Sequence, residues 1–369
     1  MSLHLVKTEN NTSNDLEQIP ESMNACLFYG PYDVRLEKVK TPEITENELL
    51  VKIKAALTCG TDLKTFQRGH PLLIKQIPST FGHQFSGIVV KAGKNVKDFY
   101  LGQKIIALNS APCFKCRFCI KEQFSLCKNM KFLNGAYAEY IAVPESIVQH
   151  NTYEMPPDIS FEEAASLEGL SVVVHGAERS EISSDKTVCV IGTGSIGLMF
   201  VALAKLNSAK VISIGRNDYK LNVAKELGAD YTFNTSQLAD LNQLDKQIKD
   251  VTNGIGPDIV IEAVGLPATW ELATKLVCRG GIVNFFGGCK KGSKVEFDTY
   301  RLHYDELKLI GVFHHTPKHV RIALNLLSNV SFRQKIFEKI ITHTVPLREL
   351  ENAFLMHQSG NAIQVAVRP

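Results

Sequence analysis

The chain has 369 residues, 44% of them hydrophobic and 21% charged, the balance of a soluble globular protein. At about 150 residues per domain, that length calls for two or three domains rather than one core. A formal net charge of +3, without a basic stripe interleaved with aromatics, gives nucleic acid no footing as a partner.

Residues 1–23 are polar and lack the apolar core of a signal peptide, so they read as a tail, and a cytoplasmic location is expected. Residues 24–150 read as short strands with turns, because Gly and Pro punctuate them and helical periodicity is scarce. Within them "LLVKIKAAL" begins with the alternation of a half-buried strand and runs into "CGTDLK", Cys59 to Lys64. A cysteine past a strand end can be buried filler, a nucleophile, a redox thiol or a metal ligand, and local sequence leaves all four open. Of nine cysteines in all, Cys113, Cys116, Cys119 and Cys127 crowd together with the spacing C-x2-C-x2-C-x7-C. Four thiolates on so short a stretch match a closed, structural zinc site. The long last gap, without a proline after Cys127, argues against an iron–sulfur cluster. The odd total argues against a disulfide framework.

From about residue 161 the texture changes. "SFEEAASLEGLSVVVHGAERS" reads as one helix with a Ser N-cap and acids in its first turn. Beyond it, short apolar strands alternate with helices, the pattern of a doubly wound parallel sheet. Thr187–Ala204 carries no charge, but three glycines break it, so it reads as strand, turn and helix and not as a membrane span. Its centre, "VIGTGSIGLM", places Gly192, Gly194 and Gly197 as G-x-G-x-x-G between a strand and a helix, the setting of a dinucleotide-binding turn. The next strand, "KVISIG", ends in Gly215 and Arg216 where an NAD site would carry an acid. Arg216, with Lys220 in support, favours the 2′-phosphate of NADP. Asp218 serving NAD is the alternative. Residues 314–369 are too few for a domain and are expected to return to the first one.

Taken in order, "CGTD", "FGHQFSG", the four-cysteine stretch, "GAYAEY" and "VIGTGSIGLM" resemble the zinc-dependent medium-chain alcohol dehydrogenases, in their polyol (sorbitol)/threonine dehydrogenase-like branch. The resemblance covers residues 24–369. It implies an α/β fold with two parts: a β-rich GroES-like catalytic domain (24–165 with 314–369) and a Rossmann domain (166–313). It also implies that Cys59, His83 and Glu168 hold a catalytic zinc. Gly169 stands where this branch has a proline after the acid. Gln84 stands where it has a glutamate, which leaves the site about one charge more positive. By the same resemblance Thr61 passes the proton, Asp62 holds the other nitrogen of His83, and Lys64 replaces an outer histidine shuttle. An amine titrating near ~10.4 suits a neutral-pH shuttle poorly. The cofactor contacts implied are Gly192, Gly194, Ser195, Ile196, Gly197, Gly215, Arg216, Lys220, Val264 and Phe286. The pair His314–His315 is either a substrate contact or a polar turn. The activity implied is hydride transfer between NADP(H) and a small secondary alcohol or ketone, polyol- or sugar-like, by a homo-oligomer without membrane attachment. The alternatives are an NAD-linked L-threonine or simple secondary-alcohol dehydrogenase, and a non-catalytic NADPH-binding relative.

Overall fold

The computed structural model describes residues 18–70, 73–238 and 240–369. Residues 1–17, most of the expected tail, lie outside these. The tail's last two residues, Ser22 and Met23, instead open the strand Ser22–Gly30, where Met23 is buried.

The strand Leu49–Leu57 is the hub of the first domain. Phe85–Ala92 and Tyr140–Val143 pair with it antiparallel, and the C-terminal strand Gln364–Arg368 adds to its end through Ala366 against Leu57. The sheet continues outward to Lys104–Ala107 and Thr152–Glu154 on one side and to Ile341–Pro346 on the other. A smaller sheet is built on Ser22–Gly30. Because Leu49–Leu57 and Phe85–Ala92 run in opposite directions, the end of one lies beside the start of the other, with Ala56 opposite Phe85. Cys59, just past the first strand, and His83, just before the second, therefore reach the same sheet edge from 24 positions apart.

This region is less purely β than its sequence texture predicts. Helices occupy Gly60–Arg68 and Glu145–Asn151. The first is short and its strongly polar sequence hides the helical period, but it buries Phe66 in an aromatic cluster with Phe81, Tyr137 and Phe354. Gly82 serves the same packing: at φ 91° its missing Cβ would lie 2.7 Å from the Tyr137 ring.

The second domain is a six-stranded parallel sheet ordered Tyr231–Asn234, Lys210–Gly215, Thr187–Ile191, Ile259–Glu262, Ile282–Phe285, Lys308–Gly311. The order reverses between Thr187–Ile191 and Ile259–Glu262, so a ligand crevice opens at their carboxyl ends. The helix expected over 161–180 is two, Phe161–Ala165 and Leu167–Arg179, meeting at Ser166. Ser160 caps the first through a capping box with Glu163, and the break puts Glu168 in the first turn of the second. Residues 314–369 return in two steps. Helices Pro317–Ser328 and Val330–Ile340 pack into the core beneath the nucleotide sheet, and only Ile341 onward joins the first domain's sheet. Among the described residues no helix is long and apolar enough to cross a membrane.

The ring of Phe66 stacks on Phe354 at 5.0 Å and is wholly buried beneath the helix that begins at Cys59. Phe66→Ala should therefore lower the unfolding free energy by about 3–5 kcal/mol, read from denaturant midpoints at unchanged slope.

Candidate active site

The "CGTD" corner is a helix N-terminus with an unusual cap. Cys59 is the N-cap of Gly60–Arg68, and its Sγ accepts the Thr61 N–H at 3.3 Å. Asp62 completes a capping box, Oδ2 accepting the Cys59 N–H at 3.0 Å. Its other oxygen, Oδ1, accepts from His83 Nδ1 at 3.0 Å. This aims His83 Nε2 at Cys59 Sγ, 3.5 Å away. One carboxylate thus fixes the backbone of the thiol and the tautomer of the imidazole. Both Cys59 and Asp62 are buried, and burial pushes the Cys59 thiol up, with Asp62 adding to it. Burial also opposes a charged His83, but the Asp62 carboxylate and Cys59 outweigh it and raise its pKa well above the ordinary value.

Glu168 enters from the helix Leu167–Arg179, with Oε2 4.0 Å from His83 Nε2. Gln84 Nε2 donates to that oxygen at 2.7 Å, and Gln84 Oε1 accepts from Gln364 Nε2 at 3.1 Å. Gln84 thus acts as a strut between Glu168 and the C-terminal strand. Gly169 is where the strut passes: a Cβ there would lie 3.3 Å from Gln84 Nε2 and 3.9 Å from Ile196 Cδ1. A thiol, an imidazole and a carboxylate are the donor types that a catalytic zinc site uses, with one position left open. The 3.5 Å between Cys59 Sγ and His83 Nε2 matches the separation of about 3.5 Å that tetrahedral zinc requires of sulfur and nitrogen ligands. The imidazoles of His314 and His315 also lie close to Glu168, the three offering donor atoms within 4.8 Å of one another. Burial holds both histidines neutral, His314 at about 3.

The four cysteines of the lobe also offer their sulfurs within 4.8 Å, with Cys116 3.6 Å from Cys119 and 4.0 Å from Cys127. Zinc–sulfur bonds of 2.3 Å place tetrahedral sulfurs about 3.8 Å apart, so the lobe is shaped for one ion. Backbone N–H groups of Cys119 and Lys128 bring the Cys116 thiol down to about 6, the direction a ligand needs.

Across the cleft the glycine-rich turn is tightly made. Gly192, at φ 112°, packs on Val264, whose Cγ2 would lie 2.9 Å from an added Cβ. A Cβ on Gly197 would lie 1.9 Å from the Gly192 carbonyl, which forces helix and strand together. Gly194 is the N-cap of Ser195–Leu206, and a Cβ there meets nothing within 4 Å, so the approach to the helix N-terminus is open. That open cradle suits a pyrophosphate. Ser195 is buried, and Phe286 packs edge-on against Phe200 at 4.9 Å.

At the end of the next strand the space beside Gly215 is occupied by Thr193, 2.8 Å from where a Cβ would be. Arg216 is exposed and Lys220 half-buried. The Asp218 carboxylate is engaged by Asn234 Nδ2 at 2.7 Å and Gln237 Nε2 at 2.9 Å.

Lys64 crosses the cleft. Its Nζ donates to the carbonyls of Val264 at 3.1 Å and Gly288 at 3.4 Å, so it is not a solvated side chain. Burial lowers its pKa. Sequence reasoning missed Glu262, fully buried at the carboxyl end of its strand. Its Oε1 accepts from Val264 N, Gly265 N and Thr269 Oγ1 at 2.7–2.9 Å, and so shapes the loop that Lys64 grips. An acid ending the apolar run "DIVIE" was the available signal.

Residues 45–153 match the alcohol dehydrogenase GroES-like domain family, and residues 195–329 the zinc-binding dehydrogenase family. The erythritol/L-threitol dehydrogenase of Mycolicibacterium smegmatis is 30% identical over 95% of this chain and 99% of its own length. The L-threonine 3-dehydrogenase of Bacillus subtilis is 30% identical over 92% of this chain and 96% of its own. A structure from Sinorhizobium meliloti, described as a zinc-binding dehydrogenase bound to NADP, superposes with a TM-score of 0.84 at 30% identity, covering 95% of this chain and 100% of that one.

Asp62→Asn should lower the affinity of the Cys59–His83 site for zinc about 10- to 100-fold. Chelator competition would measure this, with the four-cysteine lobe keeping its metal.

Proposed function

The chain belongs to the zinc-binding dehydrogenases, and on that premise we propose that it moves hydride between NADP(H) and a secondary alcohol or its ketone, with a polyol as the substrate class. The observation that carries this reading is the placement of Cys59, His83 and Glu168. They form a buried donor set at the sheet edge, with Gln84 joining Glu168 to the C-terminal strand and Gly169 facing Ile196 of the dinucleotide helix. When bound, zinc polarises the substrate oxygen and the nicotinamide takes or returns the hydride. The rest is done by the chain. Asp62 keeps His83 in its ligating tautomer, and Gln84 with Gln364 holds the Glu168 carboxylate at the edge of the cleft. Thr61, in the first turn beside Cys59, is the hydroxyl that hands the substrate proton outward. Lys64 positions the two domains through the Val264 and Gly288 carbonyls instead of shuttling that proton.

The preference for NADP rests on two side chains. Arg216 is exposed at the strand end with its guanidinium available for a 2′-phosphate, and both oxygens of Asp218 are already hydrogen-bonded to Asn234 and Gln237. A homo-oligomer is part of the same proposal. Lys308–Gly311 is an open sheet edge, and Tyr300 and Tyr304 nearby are each 67% exposed, a surface that a second copy can cover.

kcat/KM measured for a panel of polyols, amino alcohols and aldehydes with each cofactor tests the reading. NADP with a polyol should give the highest value. Arg216→Ala should lower kcat/KM for NADP roughly 10- to 100-fold, the size of one or two charge-assisted hydrogen bonds, and leave NAD unchanged. A strong NAD preference that survives Arg216→Ala overturns the cofactor assignment, and L-threonine as best substrate overturns the polyol class.

A further inference from the structure

Glu168 faces two sets of donors. The first set is His83, 4.0 Å away, and Cys59 beside it. The second set is His314 and His315, whose ligand atoms lie with that of Glu168 within 4.8 Å of one another. The pair belongs to the segment that follows the last strand of the nucleotide sheet, and it is held as ligands are held. His315 is 3% exposed, and its Nε2–H donates to Asn109 Oδ1 at 3.1 Å. Its Nδ1 is buried with no hydrogen-bond partner. His83 is likewise anchored through one ring nitrogen on an oxygen, that of Asp62. His314 bonds Ser110 Oγ through Nε2, and its ring lies 4.1 Å from that of His315. The backbone of His314 is in the left-handed region, φ 63°, and its carbonyl is fixed by His175 Nδ1 at 2.7 Å from the same helix that carries Glu168. A non-glycine residue in this region is uncommon, and here the Ser110 and His175 contacts hold it in place.

We propose that Glu168, His314 and His315 form a second divalent-cation site beside the first, with Glu168 as the carboxylate shared between them. Two neutral imidazoles and one carboxylate suit a first-row divalent ion such as zinc, cobalt or iron(II), and not magnesium or calcium, which prefer oxygen. Bonds of 2.0–2.2 Å require donors about 3.4 Å apart, so binding an ion would draw in donors that now lie within 4.8 Å of one another. A carboxylate can bridge two ions about 3.5–4 Å apart, the spacing of two-metal sites. The site goes beyond the proposed dehydrogenase function and shares only Glu168 with it.

The test is metal stoichiometry on the full chain. The protein is stripped with chelator, reloaded with cobalt(II), freed of excess, and counted by elemental analysis alongside its absorption spectrum. The wild type should hold three cobalt ions per chain: one in the cysteine lobe, one at Cys59–His83 and one at Glu168–His314–His315. Sulfur-to-cobalt absorption reports only the first two. His315→Gln and His314→Gln should each remove one ion and leave that band at full height, which also shows that the chain is folded. Cys59→Ser should remove one ion and part of the band, and its failure to do so would count against the proposed active site instead. Two ions in the wild type, or three retained in both histidine variants, overturns the second site.

Discussion

The carboxylate of Asp62 is the contact on which the site turns. Its two oxygens take the Cys59 N–H and the His83 Nδ1–H, both at 3.0 Å, in a place from which water is excluded. A capping box is a common way to begin a helix. Here its N-cap is a thiol and its acid serves a second client, so beginning the helix and bringing the thiol and the imidazole together are one event. The pair needs the antiparallel register of Leu49–Leu57 and Phe85–Ala92 to bring the two chain ends together. The aromatic cluster around Phe66 then holds the helix down.

The other half of the cleft is positioned by contacts between distant segments. Gln364 on the last strand supports Gln84, which supports Glu168. Lys64 reaches the carbonyls that Glu262 helps to set, across 200 positions of sequence to Val264. Glutamine in place of the glutamate usual at position 84 costs the site a negative charge and gives it a hydrogen-bond donor. That donor makes the Gln84 contact to the Glu168 carboxylate an attractive one, where two carboxylates would repel. Gly169 suits the same exchange, because any side chain there would crowd the amide.

Much of this was legible in the sequence. The G-x-G-x-x-G turn with its strand and helix, the cysteine spacing, and the order of the ligand motifs each carry local information that distant contacts do not override. What was not legible is long-range. The break at Ser166, just ahead of Glu168, falls at neither a Gly nor a Pro. The meeting of Glu168 with His314 and His315 depends on how the segment after Lys308–Gly311 re-enters the first domain. The polar look of "GTDLKTFQR" concealed a helix because its apolar face is little more than one phenylalanine wide. Lys64 stood only as the replacement of a histidine shuttle, because nothing near it in sequence names its acceptors. The capping box itself could have been found: C-x-x-D is the S/T-x-x-E pattern in other letters.

The central claim is that the capping box at Cys59 builds the catalytic metal centre. Crystals of the full chain grown with zinc, with diffraction recorded on both sides of the zinc absorption edge, test it most directly. The account predicts an anomalous peak bounded by Cys59 Sγ, His83 Nε2 and the Glu168 carboxylate, in addition to one among Cys113, Cys116, Cys119 and Cys127. A peak in the cysteine lobe with none beside His83 would contradict it.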